Sequence, residues 1–259
     1  MKGLWKKGWR PILVLFLLFI IWEACTRIFE IPGWLLPSPI EVFKEAVTGR
    51  SVYSVHIAST VQLVITGFLI GSSVGILVAI ILHLLPLMRQ AFYPLIIVSQ
   101  NIPIIVLAPL LVIWFGFGVL PKLIVITLIC FFPITIALLE GFKQTDADLK
   151  HYVQMAGATK QQIFWKLEWP HAFPSLFSGL KISATYSVMG AVISEWLGAS
   201  KGIGVYMTLA SSSYRTDRVF VAILLIIALS LIFFALILIV EKRLIKWKPI
   251  EKGNHLESS

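Results

Sequence analysis

Apolar stretches dominate this chain and are broken only by short polar ones. Between Arg50 and Arg89 there is no Asp, Glu, Lys or Arg, and the same holds between Arg89 and Lys122 and between Arg218 and Glu241. Uncharged runs of that length bury their backbone in lipid only as helix, because a barrel would place a polar residue at every second position. The pattern predicts an all-α membrane protein with six spanning helices. They cover about 11–29, about 59–84, a proline-interrupted third after Gln90, about 123–140, a fifth from near Ser175 to Glu195, and about 219–240.

Within the first span Glu23 and Arg27 form an i,i+4 pair near one end. A cleaved signal peptide would share its basic flank and apolar run, but Trp22 and Glu23 stand where cleavage before Cys25 needs small residues. Residues 31–50 are rich in turn formers and then amphipathic through Ile40, Val42, Phe43 and Val47, as in an interfacial segment. Gly67, Gly71 and Gly75 line one face of the second span, where small residues let helices approach closely. The third span carries Pro94, Pro103, Pro109 and the amides Gln100 and Asn101, which need protein or a water-filled path beside them. The fifth is the most polar: Ser183, Ser187 and Gly190 share a face bordered by Thr185 and Tyr186, a candidate substrate path. Glu195 at its end reads either as an interfacial, snorkelling carboxylate or as a group lining that path.

Residues 145–174 form a polar, basic interlude. Thr145 is expected to cap a helix with Asp146 and Asp148 in its first turn, ending near Gly157. Thr159 and Gln162 make a capping-box pattern for a second short helix, which Pro170 should end. The two would meet at a Gly157-Ala158 elbow and present Met155, Phe164 and Leu167 as an apolar knob. Such a knob is either a docking surface or an ordinary interhelical loop.

Composition agrees with a membrane protein: 58% hydrophobic residues, 14% charged and a mean hydropathy of +0.89. A net charge of +9 would suggest nucleic acid in a soluble protein, but here it reads as topology. With six spans, 14 of the 22 Lys and Arg residues fall on the side holding both termini and the 145–174 loop, and 7 on the other, with Lys181 inside a helix. That side is expected to be cytoplasmic. There is no G-x-x-x-x-G-K-[ST] phosphate loop, no HExxH and no Cys/His cluster; the five histidines are scattered, and Cys25 and Cys130 sit in apolar segments as packing residues.

The spacing of Gly157-Ala158, Phe164, Leu167, Pro170 and Pro174, running into Gly179-Leu180, resembles the cytoplasmic "EAA" loop of ABC-importer permease subunits. The proline-rich third span with Trp114-Phe115-Gly116 and Lys122, and the tail Glu241 to Trp247, resemble the same family. The departure is His151, Tyr152 and Val153 in place of Glu-Ala-Ala. The resemblance implies a type I ABC-importer permease fold over a single domain, residues 1–259, with a helix-elbow-helix coupling loop at about 143–175. It implies no catalytic residue, metal or cofactor in this chain, since ATP is bound by a separate cytoplasmic ATPase. An external or periplasmic solute-binding protein and a second permease copy complete the expected assembly in the cell (inner) membrane. Coupling falls to Met155, Gly157, Ala158, Phe164, Leu167, Pro170 and Pro174. The substrate path falls to Ser183, Ser187, Gly190, Glu195, Gln100 and Asn101. Within the family the chain looks most like the nitrate/sulfonate/taurine group, and residues 182–199 look like the branch for thiamine-precursor pyrimidines. An ion channel or a membrane enzyme is the competing class.

Overall fold

The computed structural model describes the backbone from Lys2 to Lys246 and side chains from Trp9 onward, so Trp247, Lys248 and Lys252 of the basic tail lie outside the described residues. The elements are α1 (Lys2–Ile28), α2 (Pro39–Thr48), α3 (Arg50–Leu84), α4 (Pro86–Ser99), α5 (Ile104–Phe115), α6 (Val119–Lys143), α7 (Ala147–Met155), α8 (Lys160–Ile163), a π-helical turn (Phe164–Glu168), α9 (Trp169–Glu195), α10 (Ile203–Ser212) and α11 (Thr216–Leu244). Helices α1, α3, α6, α9 and α11 are long and apolar enough to cross a bilayer. The α4–α5 pair, bent by 100°, supplies the sixth span if counted as one.

The expected third helix is therefore two. Asn101 and Ile102 sit between the pieces, and Pro103, which cannot donate a backbone hydrogen bond and disfavours helix at the residue before it, opens α5. Three starts also shift: α1 begins at Lys2 rather than near 11, α3 at Arg50 rather than near 59, and α9 at Trp169 rather than near Ser175. The link between the fifth and last expected spans contains α10, a short apolar helix.

The chain divides into two compact units. The first comprises the chain up to Leu69, Ile102–Ile126 and Ser187–Ser230. In it Ser38 and Glu41 close a capping box on α2, with Pro39 in the first turn. Tyr53 Oη donates to the Ala46 carbonyl at 2.6 Å. Arg215 bridges Glu45 and Asp217 at 3.0 and 2.7 Å, and Arg218 reaches Glu45 at 2.8 Å. The Arg215 guanidinium is thereby held charged above its ordinary range by the Asp217 hydrogen bonds. Glu23 and Arg27 pair at 2.6 Å as the spacing predicts.

The second unit comprises Ile70–Asn101, Thr127–Tyr186 and the chain from Leu231 on. Here α3, α6 and α9 pack through small residues. A Cβ on Gly71 would stand 2.7 Å from Cys130 Cβ, and one on Gly179 would stand 2.9 Å from the Pro133 carbonyl. Only glycine permits these approaches. Thr135 Oγ1 donates to the Gly75 carbonyl at 3.1 Å, and Tyr93 of α4 donates to Glu140 of α6 at 3.1 Å. Lys181 of α9 pairs with Glu241 of α11 at 2.8 Å, satisfying a cation inside a helix.

Candidate functional site: the coupling segment and the polar helix

Asp146, not Thr145, caps α7: its carboxylate accepts from Asp148 N at 2.9 Å and Leu149 N at 3.2 Å. A charged acceptor is the stronger partner at the positive end of a helix. The helix stops at Met155, and Gly157 turns the chain at φ +87, a conformation that side chains resist. Thr159 and Gln162 then close the expected capping box on α8.

Pro170 does not end this helix. Instead α8 runs through the π turn into α9, with Trp169 N donating to Phe164 O. The wider π register moves the carbonyl that a proline ring would strike in an α-helix, so Pro170 falls in the first turn of α9 without breaking it. The same register brings Trp169 round beside Phe164, five residues earlier, with ring centroids 6.1 Å apart. In an α-helix those two positions would point about 140° apart.

The apolar knob divides. Met155 is 71% exposed, while Phe164 is 4% exposed, its ring 5.7 Å from Phe142 and 5.9 Å from His83. Leu167 is half-buried. The accessible apolar surface is instead on α7, where Leu149, Tyr152 and Met155 follow one another at three-residue spacing. With Asp146, Asp148 and His151 they line an open cleft of about 540 Å³.

Beneath Phe164 lies a group that sequence reasoning missed. Glu168 is 5% exposed and accepts from His83 Nε2 at 2.9 Å, with Lys150 of α7 pairing to its other oxygen. His83 stacks on Phe142 with centroids 4.2 Å apart. A carboxylate only accepts, so Nε2 carries the proton.

The polar face of α9 turns inward. Ser183, Ser187 and Gly190 are buried; Ser183 Oγ donates to the Cys130 carbonyl of α6 at 2.9 Å. Glu195, at 1% exposure, neither snorkels nor opens onto solvent. It accepts from Thr60 Oγ1 at 2.7 Å and Gly204 N at 2.8 Å, while Thr60 Oγ1 in turn accepts from Ile203 N at 2.8 Å. Two donors thus sit at the start of α10, where backbone N–H groups are otherwise unpartnered. The accessible residues of this set are Gln100 and Asn101 at the α4–α5 bend; Tyr186, which bordered the expected path, is also exposed on α9.

Five apolar helices long enough to span a bilayer, a sharply bent apolar pair and a capped helix outside them are the pattern of a multi-pass membrane protein. The chain belongs to the family described as binding-protein-dependent transport system inner membrane component, whose model matches residues 67–246. It is 34% identical over 92% of its length to the formylaminopyrimidine transport permease protein ThiX of Halalkalibacterium halodurans, covering 95% of that protein. It is 28% identical to the riboflavin transport system permease protein RibX of Chloroflexus aurantiacus, covering 90% of this chain and 88% of that one. To the putative aliphatic sulfonates transport permease protein SsuC of Bacillus subtilis it is 25% identical, covering 96% and 90%. The protein is accordingly a membrane-spanning permease subunit of an ABC importer, a transport subunit working with an ATPase and a binding protein.

Proposed function

We propose that this permease imports a thiamine-precursor pyrimidine delivered by a solute-binding protein. The observation that carries the reading is the 34% identity, spread over 92% of the chain, to a formylaminopyrimidine permease. The whole chain forms one transmembrane permease domain, paired with a second copy of itself. It lacks an ATPase of its own, and ATP is bound by the partner. The excess of Lys and Arg beside both termini and the 145–174 loop supports a cytoplasmic location for all three.

In this reading α7 docks on the ATPase through Leu149, Tyr152 and Met155. Gly157 and Ala158 set the elbow. Phe164, Leu167, Pro170 and Pro174 belong to the continuous helix that receives the motion. The substrate path falls to Gln100, Asn101 and Tyr186, whose side chains are accessible, and to Ser183, Ser187, Gly190 and Glu195, which are buried. Uptake of radiolabelled formylaminopyrimidine into cells carrying the permease, ATPase and binding protein tests the substrate. Saturable, ATP-dependent uptake that an alkyl sulfonate and riboflavin fail to compete is expected. Uptake of sulfonate or riboflavin alone would overturn it.

A further inference from the structure

We propose that Glu168 is the positioning residue through which a displacement of α7 reaches the spanning helix α9, an inference that rests on α7 being the ATPase-docking helix. Helix α7 has two faces. Leu149, Tyr152 and Met155 are exposed, while Lys150 and Val153 are half-buried. Of these inward residues Lys150 makes an ion pair with Glu168 in the turn immediately before α9. The other carboxylate oxygen is held by His83 at the end of α3, itself clamped by the Phe142 ring.

Two routes connect α7 to α9, and they differ in stiffness. The covalent one runs through Gly157, whose φ of +87 and lack of any neighbour within 4 Å of a would-be Cβ make it a soft hinge. The other runs through a carboxylate with 6% side-chain exposure, gripped from two sides. Pulling Lys150 away would leave that charge with less compensation in a site shielded from water, which is far costlier than bending the hinge. The carboxylate therefore follows Lys150. It sits in a π turn, which holds one residue more than the helix around it; moving that residue along the chain re-aims side chains by about 100°. A displacement of α7 thus has an element in α9 able to take a second arrangement, which is what transmission between distant sites requires.

The test uses the full chain in complex with its ATPase, in a Cys25→Ala, Cys130→Ala background. Ser178→Cys, on the exposed face of α9, carries an environment-sensitive bimane label. A non-hydrolysable ATP analogue with magnesium should change its emission in the otherwise unaltered complex and in Lys150→Arg. In Glu168→Gln and Lys150→Met the ATPase should still co-purify, while the emission change falls at least about five-fold. Full emission changes in both variants would overturn the proposal, as would a parent complex that binds nucleotide without any change at Ser178. Loss of the ATPase from both variants would also overturn it, since the pair would then shape the docking face and not transmit. An ATPase that never associates with the parent chain would instead remove the docking reading itself.

Discussion

Thr60 of α3 donates to the Glu195 carboxylate at 2.7 Å across 135 residues of sequence, and the same hydroxyl accepts the N–H of Ile203. One side chain thereby fastens α3, the end of α9 and the start of α10. Thr60→Val keeps the shape and removes both bonds, so a loss of about 1–3 kcal/mol is expected, seen as a lower melting temperature of the detergent-purified protein. Gly202→Ala should be worse, because φ is +135 there and a Cβ would land on the Glu195 carboxylate. An unchanged melting temperature in both would show that the clamp contributes nothing.

Gly71 is expected to be intolerant of bulk. Its Cβ would lie 2.7 Å from Cys130 Cβ and 3.0 Å from the Thr127 carbonyl, which is backbone and cannot swing aside. Gly71→Val should cost on the order of 1–3 kcal/mol and reduce the folded fraction recovered from membranes, whereas Leu69→Ala, at an exposed position, should not. Equal recovery of the two variants would contradict the close packing.

Tyr152→Asp and Met155→Asp should insert normally and lose the ATPase, because both side chains are accessible and a carboxylate would be desolvated on docking. Phe164→Asp should fail differently. It places a charge among Phe142, His83 and Trp169, so reduced accumulation in the membrane is expected before any docking defect. Co-purification of the ATPase, normalised to permease recovered, separates the two outcomes.

Topology can be read with reporter fusions. Insertions after Ala158 and after Lys246 should report cytoplasm, and one after Gly33 should report the opposite side. An external signal at Ala158 would reverse the assignment of the docking helix.

The spans were legible because lipid leaves so few solutions for an uncharged run, and the glycine spacing of α3 revealed its packing face. The errors came from effects that spacing does not carry. A proline normally closes a helix, but the π register at Phe164–Glu168 absorbs Pro170, and nothing in FWKLE announces that register. Phe164 and Met155 look alike in sequence; only tertiary packing decides that one is covered. The Glu168 partners, Lys150 and His83, lie 18 and 85 residues earlier in the chain, so no local pattern could join them. The serines of α9 were correctly grouped on one face, but small polar residues serve helix packing as readily as a path, and here the Cys130 carbonyl takes the Ser183 hydroxyl.

The break between α4 and α5 bears on how the protein enters the bilayer at all. Fourteen and twelve residues of helix extend about 21 and 18 Å, and a hydrocarbon core of about 30 Å is too thick for either alone. During synthesis neither piece would satisfy the insertion machinery as an independent stop. Ile102 and Pro103, outside both helices, would also carry backbone groups that hydrocarbon cannot satisfy. Integration of this segment therefore has to wait for its neighbours, with α6 supplying the Glu140 contact for Tyr93, which makes the order of helix assembly a constraint built into the chain.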